Sequence, residues 1–172
     1  ADSALSNASV DENQASGTAV GNFSTPDPDA GDTFTYTLVA GGGDTGNGSF
    51  QIVGNQLQTS ASFDFEAQNS YSIRVRSTDA GGLLFEEAFT ITVTDANETP
   101  TDIALSNASA PENEPVGTDI GTLTTTDPDA GDTFTYTLAA GSGDTDNGSF
   151  QTDGGQVRNA SQHSCGARRP PS

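Results

Sequence analysis

The sequence repeats itself at a fixed offset of 100 residues: LSNAS at Leu5–Ser9 returns at Leu105–Ser109, and DPDAGDTFTYTL at Asp27–Leu38 returns at Asp127–Leu138. GDT at Gly43–Thr45 and NGSFQ at Asn47–Gln51 return at Gly143–Thr145 and Asn147–Gln151, with no insertion or deletion between them. A period that long is a whole domain and not a solenoid unit. Tandem modules joined near Asp95–Pro100 are therefore expected.

The register persists to Val157, where Gln156-Val157 matches Gln56-Leu57, and then stops. The second copy contains no equivalents of Asp64, Glu66, Tyr71–Arg76 or Phe89–Val93. In their place stands 158–172, which holds three of the five arginines, the only His and the only Cys, and none of the 24 acids. Such a break reads as a truncation followed by a non-native or frame-shifted tail. The expected organisation is one repeat over 1–99, the N-terminal part of a second over 100–157, and the tail over 158–172.

Within the first copy the periodicity is two. Phe34, Tyr36 and Leu38 alternate with threonines; Tyr71, Ile73 and Val75 alternate with Ser72, Arg74 and Arg76; Phe89, Ile91 and Val93 alternate with threonines again. That pattern predicts half-buried antiparallel strands. Weaker strands are expected at 4–8, 18–24, 50–53 and 56–59, the last two joined through Gly54-Asn55 as a hairpin. No stretch has helical spacing. Seven short strands in about 100 residues, separated by Gly, Asp and Asn turns, predict an all-β, Ig-like Greek-key sandwich, here in tandem with the second copy truncated.

Charge narrows the function. With 24 acids, five arginines and no lysine, the formal net charge is −19, so the chain has no basic face with which to displace counterions from nucleic acid. An anionic membrane surface would repel it for the same reason, and no run of about 20 apolar residues spans a bilayer. Any export signal is expected to lie outside these residues. A lone cysteine, Cys165, permits neither an internal disulfide nor a Cys/His zinc site. Seven N-x-S/T sequons, at Asn7, Asn22, Asn47, Asn97, Asn107, Asn147 and Asn159, are expected by chance in a chain so rich in Asn, Ser and Thr.

The acids cluster at strand ends and turns: Asp11-Glu12-Asn13, Asp27-Pro28-Asp29, Asp64-Phe65-Glu66, Asp79, and Asp95-Ala96-Asn97-Glu98. Alternating D-x-D and D-x-E direct both carboxylates to one side, and like charges held so close are costly unless a cation neutralises them. Ca²⁺ accepts six to eight oxygens in flexible geometry, whereas Mg²⁺ demands a strict octahedron. Calcium is therefore the expected ion. An EF-hand reading of Asp27–Asp32 fails because the twelfth position is Leu38 and not a bidentate Glu. Asp32, Asp44 and Asp132 are read as solvated turn residues.

Taken together, these clusters resemble the cadherins, and more closely the cadherin-like tandem repeats of bacterial surface proteins. ENQASGT at Glu12–Thr18 resembles the family's E-N-x-x-x-G-T, TPDPDAGD its T-D-x-D, SFDFE at Ser62–Glu66 its L-D-x-E, STDAGG at Ser77–Gly82 its x-x-D-x-G-G, and DANETP at Asp95–Pro100 its D-x-N-D-N-x-P linker. The linker departs from the animal form, with Glu98 for the second Asp and one residue fewer before proline. The resemblance implies that Ca²⁺ sits at a junction of Glu12, Asp64, Glu66, Asp95, Asn97 and Glu98 with Asp127 and Asp129, helped by the carbonyls of Ala96 and Thr99. It also implies that Asp27, Asp29 and Asp79 face an upstream junction. Glu112 would face a later one, for which Ser164 and Gly166 stand where carboxylates are required.

The resemblance implies a calcium-rigidified adhesion or spacer module of a large secreted or cell-surface bacterial protein. Its expected partners are neighbouring repeats of the same or another molecule, including dimers formed by strand exchange at the truncated copy. The alternative is a carbohydrate-binding module appended to a polysaccharide-degrading enzyme. An enzyme is not expected: the one histidine lies in the tail, which removes a Ser-His-Asp arrangement, and no Trp platform accompanies the paired carboxylates as a glycosidase site would need.

Overall fold

A computed structural model describes residues 3–26 and 33–162. The chain divides into two compact units, Ala1–Asn97 and Glu98–Ser172. No helix among the described residues is long and apolar enough to cross a membrane.

Unit 1 is a β-sandwich. Its strands are β1 (Ala4–Leu5), β2 (Ser9–Asp11), β3 (Ala19–Ser24), β4 (Thr35–Leu38), β5 (Phe50–Val53), β6 (Gln56–Thr59), β7 (Ser70–Thr78) and β8 (Leu84–Thr94). One sheet has the order β1-β3-β6-β5 and the other β2-β8-β7-β4. The single strand expected at 4–8 is in fact two. Leu5 pairs antiparallel with Phe23 in the first sheet, while Ser9–Asp11 runs parallel to Thr92–Thr94 in the second. At the crossing, the backbone passes so close to Gly21 that a Cβ there would meet the Asn7 carbonyl at 2.4 Å. The Asn7 amide clamps the crossing by donating to the Ser9 and Val20 carbonyls.

The period-two pattern places its apolar residues as the sequence requires. Ile73, Ile91 and Val93 are fully buried, with Leu57, Phe23 and Val75 beside them, whereas Thr35 and Thr37 of β4 and Thr90 and Thr92 of β8 face water. Two aromatic groups fill the space between the sheets. Phe23 stacks on Tyr36 at 5.4 Å and touches Phe89, and Phe63 lies 4.7 Å from Tyr71 and 5.3 Å from Phe50. Each fully buried side chain of this kind stabilises the fold by roughly 1.5–3 kcal/mol.

Unit 2 contains β9 (Asp102–Leu105), β10 (Asp119–Thr126), β11 (Phe150–Asp153) and β12 (Gln156–Asn159), which form one sheet of order β11-β12-β10-β9. It reproduces the first sheet of unit 1, including the tight crossing at Asn107 and Gly121. No second sheet occurs in this unit among the described residues. Phe134–Leu138, identical to Phe34–Leu38, is not a strand, and Ile103, Val116 and Leu138 are 62%, 59% and 41% exposed. β12 runs two residues past the composition break at 158. Asn159 pairs with Phe150 as Thr59 pairs with Phe50, and Arg158 bridges Asp119 at 2.6 Å and Asp153 at 2.5 Å. A backbone ladder tolerates the change of side chains, and the local acids supply the arginine's partners.

Candidate metal centre

Glu12 organises the acidic end of unit 1. It follows β2, and its own N–H donates to the Thr94 carbonyl at 3.0 Å, which ties it to the end of β8. Asn13 then adopts φ 58°, a left-handed conformation that Asn tolerates better than other residues with a side chain, and its N–H donates to the Phe63 carbonyl. This local geometry turns the Glu12 side chain inward, where it is 1% exposed. Its two oxygens accept from the backbone N–H groups of Phe65 at 2.8 Å and Ala96 at 2.9 Å. One buried carboxylate thereby draws together the D-x-E segment and the linker.

Around it, Glu12, Asp64 and Glu66 offer oxygens that lie within 4.8 Å of one another, and Glu66 and Asp95 offer another such pair. Asp64 is exposed, and its Oδ1 accepts from Ala67 N–H at 2.9 Å, which holds the short turn after Phe63. Glu66, Asp95 and Asn97 are exposed, and Ala96 is half-buried. Among the sequence-derived residues of unit 1, then, Glu12, Asp64, Glu66, Asp95 and Ala96 share one end of the sandwich. Asp79 lies in the connection between β7 and β8. Its Oδ1 accepts from Leu83 N–H at 2.8 Å and its carbonyl from Gly82 N–H, so it closes the β7–β8 turn. Asp27 and Asp29 lie outside the described residues.

In unit 2, Asp127 and Asp129 follow β10. Asp129 N–H donates to Asp127 Oδ1 at 3.0 Å, and Glu98 N–H donates to Asp129 Oδ2 at 2.6 Å. Thr99 is exposed. Asp127 Oδ2 and Asp129 Oδ1 are buried with no hydrogen-bond partner. Glu112 is exposed where its counterpart Glu12 is buried, because the segment that would cover it is not matched in the second copy. Chemically the donor set is all oxygen, anionic and partly desolvated, with no His or Cys; it fits a hard divalent cation and not zinc.

One signal escaped the motif-based reading. Asp132 also brings a carboxylate oxygen within 4.8 Å of those of Asp127 and Asp129. The D-x-D-x-x-D spacing contains it, but the family motif ends at Asp129.

The sequence profile of the Cadherin domain family matches residues 6–96. Among curated proteins, human protocadherin gamma-A4 is 32% identical over 149 residues, covering 76% of this chain and 14% of that protein. The fruit-fly protocadherin-like wing polarity protein stan (Drosophila melanogaster) is 33% identical over 130 residues, covering 72% of this chain and 4% of that protein. The chain thus spans a small fraction of the relatives it matches. Among solved structures, human protocadherin-24 EC1-2 superposes with a TM-score of 0.68 at 16% identity, covering 91% of this chain and 74% of that one. The human desmocollin-1 ectodomain gives 0.62 at 22% identity, covering 94% and 34%. At these identities the structural matches establish the fold.

Proposed function

The chain belongs to the cadherin family, and on that premise we propose that it is a calcium-binding adhesion or spacer module of a large extracellular protein. In this reading Glu12, Asp64, Glu66, Asp95, Asn97 and Glu98, with Asp127 and Asp129 and the carbonyls of Ala96 and Thr99, hold Ca²⁺ at the junction of successive repeats. The upstream junction would draw on Asp27, Asp29 and Asp79. Ca²⁺ supplies the charge that lets the carboxylates share a small volume, and the linker stiffens as its groups become ligands.

The observation that carries the reading is the carboxylate triad Glu12, Asp64 and Glu66 gathered within 4.8 Å at one end of unit 1. Each pair of like charges at such a distance costs roughly 1 kcal/mol in water and about 4 kcal/mol at the effective dielectric of a protein surface. Glu12, 1% exposed, is on the buried side of that range, and its two oxygens accept from neutral backbone N–H groups. A divalent ion converts the repulsion to attraction, and weak sites of this kind fill at millimolar extracellular calcium.

The proposed partners are neighbouring cadherin repeats of the same or another molecule, including a second copy joined by strand exchange at the open sheet of unit 2. The relatives reported above are animal proteins. Placement in a bacterial surface protein rests on the lysine-free, Gly-, Ser-, Thr- and Asn-rich composition and on the linker's departure from the animal form. An adhesion module of this sort is expected to catalyse no reaction.

Calcium titration tests the proposal. Added CaCl₂ should raise the melting temperature, and EDTA should reverse the rise. Glu66→Ala should blunt the response far more than Asp44→Ala, since the Asp44 carboxylate accepts from Gly41 N–H within its own loop. A melting temperature indifferent to both calcium and EDTA would sink the reading.

A further inference from the structure

We infer that the loop 139–147 of unit 2, with the segment 135–138 before it, is a preformed acceptor for an added β-strand that has apolar residues on one face and arginines on the other, as Ser70–Thr78 has. This names the strand that the open sheet of unit 2 receives, and so rests on the partner reading above, but it makes no use of calcium.

In unit 1 the matching loop receives β7. Val39 N–H donates to the Arg74 carbonyl at 3.0 Å, Gly46 N–H donates to the Ser72 carbonyl at 2.7 Å, and Asn47 Oδ1 accepts from Arg74 N–H at 2.9 Å. The Arg74 side chain reaches the same loop, its Nη1 donating to the Gly42 carbonyl at 3.0 Å. In unit 2 no such strand occurs among the described residues, yet the loop keeps its shape. Gly141 and Gly143 have φ 154° and 93°, against 148° and 88° at Gly41 and Gly43. Asp144 accepts from Gly141 N–H and the Asn147 amide donates to the Ala139 carbonyl, as Asp44 and Asn47 do with Gly41 and Val39. The loop is therefore held by its own bonds and not by the strand it receives.

Ala139 N–H, Asp146 N–H and Asn147 Oδ1 have no partner among the described residues, and they are the groups that bind the backbone of β7 in unit 1. A strand in that place would also pair with 135–138, as β7 pairs with β4. Exposed Leu138 and half-buried Tyr136 give its apolar face a surface to cover. Main-chain bonds to a preformed edge, with alternate side chains read beside it, are how an extended segment adds to a sheet, and the preformed loop lowers the ordering cost.

Charge selects the strand. The loop carries Asp144 and Asp146 where unit 1 has Asp44 and Gly46, while β7 contains Arg74 and Arg76 and no acid. Asp146 also sets the fit. A Cβ on Gly46 would meet the Ser72 carbonyl oxygen at 2.8 Å, so a strand seated on unit 2 must stand further off than β7 does in unit 1. Asp146 is thus the position that determines how tightly the strand is held.

The test adds a synthetic peptide of residues 68–80 to the full chain in EDTA and follows amide exchange at 135–147 by mass spectrometry. The expected result is saturable protection, roughly tenfold or more at 136–139, with exchange at 36–39 unchanged. The same peptide carrying Ile73→Asp should give none, and the Asp146→Gly chain should be half-saturated at a severalfold lower peptide concentration. No protection by the peptide, equal protection by its Ile73→Asp form, or no tightening in Asp146→Gly overturns the inference. A strand-exchanged dimer, seen by light scattering, that excess peptide does not dissociate also overturns it and leaves the partner reading standing. Because the buffer contains EDTA, none of these outcomes bears on the calcium reading.

Discussion

At the scale of single residues, Glu12 and Glu86 show two different uses of a carboxylate. Glu12 is buried and satisfied by two backbone donors, Phe65 and Ala96. Replacing it with Ala leaves both donors unpaired, so Glu12→Ala should lower stability by about 1–3 kcal/mol even in EDTA. Glu66→Ala removes one member of the repelling triad, so its main effect should be a smaller rise of the melting temperature on adding calcium; thermal melts of both variants in each buffer check this. Glu86 sits on the outer face of β8, where Arg76 and Arg74 donate to it at 2.6–3.1 Å. These hydrogen bonds, Arg76 foremost, hold its carboxyl below the ordinary value of 4.5. A depressed carboxylate stabilises the fold above its unfolded pKa and loses that contribution as pH falls through the folded one. Urea midpoints measured from pH 7 down to 2 should therefore fall less steeply in the acid limb for Glu86→Gln than for the wild type. Several sequon asparagines also have structural work: the amides of Asn7, Asn47, Asn107 and Asn147 each donate to backbone carbonyls.

At the scale of the element, the most instructive pair is TYTL at 35–38 and 135–138. In unit 1 these residues form β4, with Thr35 to Leu38 paired against Thr78 to Val75 of β7. In unit 2 the same residues form no strand. Propensity and alternation are identical, so the difference belongs to the partner: a strand is half of a hydrogen-bonded pair. Backbone amide exchange should be slow at 36–38 and fast at 136–138 in the same sample, as mass spectrometry of peptides spanning each segment would report. Equal protection in both would contradict this account. The split of the first strand into β1 and β2 was illegible for a related reason. Nothing in LSNAS announces that Leu5 and Ser9 pair in different sheets; the close approach at Gly21 is visible only once the fold brings Asn7 across it.

For the whole molecule, unit 1 closes its core between two sheets, whereas unit 2 leaves one sheet with apolar residues in water. Exposed Ile103, Val116 and Leu138, together with the edge strands β9 and β11, are a template for pairing with another chain. Light scattering at rising concentration should reveal a growing dimer fraction, and a chain that stays monomeric while 136–138 are protected would oppose strand exchange. What the sequence by itself determined is the 100-residue repeat, the two-residue period of the strands and the grouping of acids in fixed motifs, because each is a property of local order along the chain. Only the tertiary structure decided which copies of the same words become strands, that Glu12 is buried by the segments it binds, and that Asp132 joins Asp127 and Asp129. Burial and pairing depend on residues far away in sequence, and the second copy does not carry the partners that the first one has.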